Sequence, residues 1–200
     1  YYNMATIINA DTSDGLKLTS DTSGLIEFQS AGTTIATVDS TGITMASGKA
    51  VSGGEIIQNA GPTFRAYMSA NLTLPTSTVT KVVLNVEEWD TNSNFDNVTN
   101  YRFTPTVAGY YAFTGAAFGS VATTARFGVS VHKNGGPASW DFNSGITSDG
   151  GGSVLVSTIL YANGSSDYFE LYLLQNQGSN ATIVNDAANT WFSGSLIRSA

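Results

Sequence analysis

The sequence predicts an all-β protein: an antiparallel sandwich of about eight to ten short strands, preceded by a thinner β-rich segment. Three observations lead there. Tyr101 to Phe113 reads Y-R-F-T-P-T-V-A-G-Y-Y-A-F, with apolar residues alternating with small or polar ones. Turn signals such as Asp14-Gly15, Thr41-Gly42, Asn134-Gly135 and Asn163-Gly164 recur along the chain. No stretch combines a helical period with helix caps.

Composition narrows the function. The chain has 200 residues, 42% hydrophobic and only 12% charged, about half the usual charged share. Hydroxyl, amide and glycine residues replace the missing charges. The net charge is −7, and the eight Lys and Arg are scattered, so no basic stripe exists to neutralise phosphates. Nucleic acid and anionic membrane surfaces are therefore not expected partners. There is no cysteine, hence no disulfide frame and no thiolate metal site. No apolar run is long enough to span a bilayer as a helix, and the first residues lack the basic-then-apolar pattern of a secretory signal.

Residues 1–58 form the first predicted region, a stalk or attachment segment. Between residues 5 and 58 the only aromatic residue is Phe28. Short alternating segments are expected at Ala5–Asn9, Gly15–Thr19, Gly24–Gln29, Thr33–Val38, Gly42–Ala46 and Glu55–Gln58, recurring about every nine residues. Each offers two or three apolar side chains, too few for a stable core of its own. Association with other copies is the expected remedy, and it would also cover strand edges.

Residues 59–200 form the second region, where the aromatics begin. Thr63–Ser69 alternates, with Phe64, Ala66 and Met68 on one face. Thr78–Val86 is rich in β-branched residues and reads as a strand. Glu87 to Asn100 reads as a polar surface excursion. Tyr101–Phe103 and Tyr110–Phe118 are two strands around a bend at Pro105 and Gly109. Arg126–Lys133 alternates Phe127, Val129 and Val131 and ends at the Asn134-Gly135 turn. Ser139–Gly152 reads as a loop holding Trp140 and Phe142. Val154–Tyr161 and Asp167–Leu174 read as a hairpin, and Thr190–Ile197 as the closing strand.

Several of these landmarks carry a resemblance. Phe103, Gly109, Tyr111 and Phe113, in the pattern F-x5-G-x-Y-x-F, resemble the signature of the C1q/TNF-like jelly roll, with Leu84, Asp90 and Phe95 upstream near its further positions. Pro62–Tyr67, the V-H-K-N-G run at Val131–Gly135, Asp167–Leu171 and the closing W-F-S-G-S-L at Trp191–Leu196 resemble other strands of that family in the right order. The resemblance spans about residues 61–200. It implies a jelly-roll topology, a tight homotrimer, and a core or trimer-interface role for Phe103, Gly109, Tyr111, Phe113 and Phe192. Asp21–Ile43 resembles short β-structured segments of bacteriophage tail fibres and virion appendages.

Other constellations are weighed singly. Asp90, Asn92, Asn94 and Asp96 place oxygen ligands at alternate positions, as at the start of a calcium loop. Phe95 and Tyr101 stand where an EF-hand needs Gly and Glu, so calcium could be held only by a looser site; a polar turn is the plainer reading. His132, the only histidine, has no second histidine for a metal site and reads as an outward-facing strand residue. Glu87, Glu88 and Asp90 cluster in sequence, but a glycosidase needs carboxylates across a cleft. Asp149-Gly150-Gly151-Gly152 lacks the Lys-Ser/Thr of a phosphate loop. The sequons at Asn71, Asn97, Asn163 and Asn180 are no more than chance supplies. Trp89, Trp140 and Phe142, in predicted loops, are candidates for receptor contact, either stacking on sugars or anchoring a protein interface. Packing at the sandwich ends or between subunits is the competing role.

Together these features lead to a non-enzymatic homotrimer of a bacteriophage virion: a short fibre, appendage or capsid decoration. It would bind other virion proteins through its N-terminal segment and a host-surface glycan or protein through its head. The alternative is a secreted C1q/TNF-like carbohydrate- or protein-binding module.

Overall fold

A computed structural model describes residues 25–49, 61–122, 124–143 and 151–200. The chain divides into two units, Tyr1–Ile57 and Gln58–Ala200.

The described part of the first unit is a three-stranded antiparallel meander of β1 (Ile26–Ser30), β2 (Thr33–Asp39) and β3 (Gly42–Met45). Ala31 and Gly32, with φ of 50° and 75°, form the left-handed turn that a two-residue hairpin needs. Register sets Ile26 opposite Val38 and Val38 opposite Ile43, and Phe28 opposite Ala36 and Ala36 opposite Met45. All six apolar side chains therefore share one face, while Glu27, Thr37 and Thr44 share the other. Of these strand residues only Ala36 is buried; Phe28 and Ile43 remain 42% and 72% exposed. The expected segments at Gly24–Gln29, Thr33–Val38 and Gly42–Ala46 are these three strands. Those at Ala5–Asn9, Gly15–Thr19 and Glu55–Gln58 lie outside the described residues.

The second unit is a two-layer sandwich. In chain order its strands are β4 (Thr63–Tyr67), β5 (Leu72–Leu74), β6 (Thr80–Lys81), β7 (Val86–Asp90), β8 (Phe95–Asp96), β9 (Arg102–Phe103), β10 (Gly109–Gly119), β11 (Phe127–Lys133), β12 (Gly136–Asn143), β13 (Gly152–Ala162), β14 (Phe169–Gln175), β15 (Ala181–Ile183) and β16 (Trp191–Ser199). One sheet runs β5-β15-β10-β16-β4-β7, with β13 on the other edge of β10. The facing sheet runs β12-β11-β14-β9-β8, with β6 added to β14.

Aromatic rings fill the space between the layers. Phe64 stacks on Phe103 at 4.3 Å and on Phe95 at 4.9 Å. Phe113 packs against Phe169 at 4.3 Å and Phe192 at 5.7 Å. All but Phe95 are fully buried. Each such ring contributes about 1.5–3 kcal/mol on leaving water. The Tyr111 hydroxyl, buried with its ring, donates to the Val107 carbonyl at 2.8 Å. Burial pushes its pKa to about 12.

The sandwich departs from the sequence expectations in four places. Thr78–Val86 is not one strand: β6 pairs with β14 and β7 with β4 in the opposite sheet, so the chain crosses between layers here, with Val82 and Leu84 fully buried on the way. The first four residues of the expected polar excursion, Glu87 to Asp90, belong to the strand β7, which pairs with β4. The expected loop from Ser139 is strand as far as Asn143. Finally, β13 and β14 do not form a hairpin: β13 pairs with β10 and β14 with β11, in opposite sheets. The connection is held by Asn163, whose Oδ1 accepts the amides of Ser165, Ser166 and Asp167, each at 3.0 Å. It therefore crosses between layers rather than reversing within one.

Candidate binding surfaces

Three surfaces of the second unit combine the predicted site residues with others that sequence reasoning passed over. The first is the outer face of the sheet containing β10 and β13. Tyr111 and Phe113 point inward, so Tyr110 and Ala112 point out. Across the strand pair, Tyr110 meets Tyr161, Ala112 meets Ile159 and Ala116 meets Leu155. The Tyr110 and Tyr161 rings touch edge to face at 5.6 Å. Tyr110, Leu155, Ile159 and Tyr161 stay 50%, 53%, 62% and 42% exposed. Ile197, at the bulge where β16 meets Tyr110, is 55% exposed. Side chains of the facing sheet cap backbone carbonyls of β13: Lys133 Nζ donates to Tyr161 O at 2.8 Å and Asn143 Nδ2 to Ser153 O at 3.2 Å. Such capping protects a strand edge from pairing with a foreign strand.

Phe103, Tyr111, Phe113 and Phe192 lie inside the sandwich with no exposed surface, and Gly109 is buried beside Leu196. A second copy cannot reach them. Their neighbours in the opposite phase of the same strands occupy the outer face. The signal was present: Y-Y-A-F in β10 and V-L-V-S-T-I-L-Y in β13 are apolar in both phases, the pattern of a strand covered on both sides.

The second surface is the outer face of the facing sheet, where a chain of rings crosses three strands. The Arg126 guanidinium lies 4.1 Å from the centre of Phe142. Phe142 stacks on Trp140 at 5.0 Å, Trp140 meets His132 edge to face at 6.0 Å, and His132 stacks on Tyr172 at 3.9 Å. Trp140 and Phe142 are thus strand residues whose rings engage neighbours, not loop residues presenting free faces. Ser130 and His132 lie beneath and are buried. His132 is outward-facing as expected, but it is covered. Neither ring nitrogen makes a hydrogen bond. Desolvation lowers its pKa, against the smaller opposing pulls of the Gly135 backbone and Glu170. At the end of the chain of rings, Lys81 Nζ pairs with Glu170 Oε1 at 2.5 Å and also donates to the Asn100 carbonyl.

The third surface is the polar loop after β7. Asp90 Oδ2 accepts the Phe95 amide at 2.7 Å, and its Oδ1 the Asn92 amide at 3.3 Å. Asn94 Oδ1 accepts the Thr106 amide at 3.2 Å and its hydroxyl at 3.3 Å. The Asp96 carboxylate accepts the amides of Val98, Thr99 and Asn100. Those bonds, Thr99 first, hold the Asp96 pKa at about 2. Asn92 Oδ1 accepts from the Thr91 hydroxyl at 2.8 Å. The four candidate calcium ligands thus serve the loop's own backbone and hydroxyl donors. Among the described residues, no group of three or more His, Cys, Asp or Glu could hold a metal ion.

Trp89, 41% exposed, belongs to β7 rather than a loop, and its indole N–H donates to Thr63 Oγ1 at 3.3 Å. Glu88 pairs with Arg65 at 3.0 Å. Glu87, on the opposite face of β7, has its pKa raised by desolvation and then by Asp90 and Asp96. The acidic cluster is thus split between two faces of one strand.

No family model matches the chain, and no curated protein matches it. Solved structures do. Murine APRIL at pH 5.0 overlays with a TM-score of 0.53 at 12% identity, covering 69% of this chain and 100% of that one. Eiger TNF from S. frugiperda overlays with a TM-score of 0.53 at 8% identity, covering 70% and 93%. The PRD1 vertex protein P5 overlays with a TM-score of 0.48 at 14% identity, covering 69% and 96%, too distant to add to the fold assignment. The fold is an all-β, TNF-like jelly roll.

Proposed function

We propose that the chain is a non-enzymatic structural and binding protein that works as a homotrimer, a short fibre, appendage or decoration on the surface of a bacteriophage particle. The observation that carries the oligomer is the apolar outer face of β10 and β13. Tyr110, Leu155, Ile159 and Tyr161 form an apolar band, broken only by the Thr114–Ser157 pair, in a chain poor in charge. Large exposed apolar patches mark interaction sites. A second copy of the same face fits: the four side chains of the band are uncharged, and the charged residue beside them, Arg198 opposite Tyr110, is exposed near the end of β16 and can stay in water at the rim. The number three comes from the C1q/TNF resemblance.

The six-residue apolar face of β1, β2 and β3 supports the same reading for the N-terminal segment. A three-stranded sheet on which only Ala36 of that face is buried gains little from folding alone. The phage assignment rests on the likeness of Asp21–Ile43 to fibre segments; attachment to other virion proteins would run through that segment. The jelly roll would be the head that meets a host-surface glycan or protein, with Trp89 the most exposed of the three predicted aromatic contacts. Several heads on one axis raise avidity without strong single-site contacts.

Solution mass by light scattering tests the oligomer, measured on the whole chain and after removal of residues 1–58. A trimer in both places assembly in the jelly roll, and a trimer lost on truncation places it in the segment before. A monomer in both cases overturns the proposal. Labelling of particles with an antibody against the chain tests the virion assignment separately.

A further inference from the structure

We propose that His132 is an acid-released latch on the outer face of the sheet containing β11, β12 and β14. While neutral, it sits between Tyr172 of β14 and Trp140 of β12 and keeps Trp140 and the edge strand β12 on β11; once charged, it leaves its place and frees them. The inference starts from burial. His132 is 5% exposed although its strand phase points it away from the core. What covers it is not the protein interior but two rings, Tyr172 stacked at 3.9 Å and Trp140 edge-on at 6.0 Å. Both ring nitrogens are buried without a hydrogen-bond partner.

A neutral imidazole in that position leaves one donor and one acceptor unmet; an imidazolium has two charged donors, and the Gly135 backbone, the one backbone group that favours that form, makes no hydrogen bond to either ring nitrogen. The charged form is therefore penalised much more heavily by loss of water. The charges around it do not compensate. On β14, Glu170 lies opposite His132 in register, but its carboxylate is already paired with Lys81 of β6. Tyr172 Oη donates to the same carboxylate at 3.4 Å. On β11, the Lys133 ammonium is engaged by Asp167 at 2.8 Å. From β12, Trp140 brings no charge, and Asp141 is in the opposite strand phase. The Tyr172 face attracts a cation, but it gives the two N–H groups no acceptor in the ring plane.

Of the two covering rings, Tyr172 belongs to β14 inside the sheet and Trp140 to the strand at its edge, so the latch opens on the Trp140 side. Trp140 sits on an edge strand whose pairing to β11 already slips in register between Val131 and His132. Release of His132 therefore lifts Trp140 and, through its stack, Phe142. In acid the two aromatics would expose the faces that they otherwise cover.

Because His132 is the only histidine, its imidazole proton resonance needs no assignment. The experiment is a titration of the whole chain from pH 8 to pH 4.5. It follows that resonance and tryptophan emission together, in wild type, His132→Phe and Trp140→Phe. The expected result is a histidine midpoint below the ordinary value of about 6.5. A reversible red shift of emission should share that midpoint and be absent from both variants. His132→Phe keeps a ring in the stack, and far-UV circular dichroism confirms its fold; His132→Gln serves if it does not fold. A midpoint at or above 6.5, an emission change that persists without His132, or a histidine titration with no emission change each overturns the latch.

Discussion

Gly194 and Phe113 lie opposite each other on β16 and β10, and a Cβ at position 194 would stand 2.8 Å from the Phe113 ring and 2.6 Å from that of Phe64. The glycine of the closing W-F-S-G-S-L run is thus where two core rings come close to the backbone. Gly194→Ala forces both rings to shift in a closely packed interior, and overpacking of this kind costs about 1–3 kcal/mol. Urea unfolding should show a lower midpoint at unchanged slope, with Gly194→Val worse than Gly194→Ala.

The outer face of the neighbouring strand β13 should respond differently. Ile159→Lys puts a charge on a residue 62% exposed in the single chain, so folding of the jelly roll should change little. The same charge inside an interface would be buried unpaired. Light scattering should report loss of the trimer while far-UV circular dichroism is unchanged. A trimer that persists would move the interface away from β13.

Gln175 is fully buried, and its amide is shared among three backbone groups. Nε2 donates to the Leu74 and Ser179 carbonyls at 3.0 and 2.8 Å, and Oε1 accepts the Gln177 amide at 2.7 Å. Gln175→Leu keeps the volume but strands those groups. Each buried unsatisfied group costs about 1–3 kcal/mol. Thermal unfolding should show a clear drop in Tm.

The loop after β7 should be indifferent to calcium and sensitive to strong acid. Its carboxylates already accept the loop's own amides, so neither calcium nor a chelator should move Tm. The Asp96 pKa lies below its ordinary value, at about 2. A depressed carboxylate contributes stability that is fully present above its unfolded pKa and is lost as pH falls through the folded one. The window is from about pH 4 down to about pH 2. Hydrogen exchange at Val98, Thr99 and Asn100 should rise in that window, after correction for intrinsic rates, and Asp96→Ala should raise it already at neutral pH.

Most strands could be read from alternation and turns, because the period of two and the residues that permit a tight turn are local properties. Asn134-Gly135 stopped β11 where expected, with φ of 54° and 80°. Tyr101 takes a left-handed backbone (φ 47°), so β9 starts one residue later than its alternation implies. The errors came from relationships between strands. Val154–Tyr161 followed by Asp167–Leu174 looks like a hairpin to any local rule, yet its two strands lie in different layers.

The sequence by itself determined that the chain is all-β, where most strands run, and which phase of β10 carries Tyr111 and Phe113. Those follow from backbone sterics and from the alternation of side chains. The packing of the two sheets is what settles which apolar phase is core and which stays exposed. The tertiary structure also showed that Trp140 covers a buried histidine and Phe142 stacks on Trp140 instead of standing free, and that Asp90 and Asp96 serve their own loop. Each of these depends on which strand lies beside which. Burial and hydrogen bonding across a sheet are set by that pairing, which a single strand does not encode.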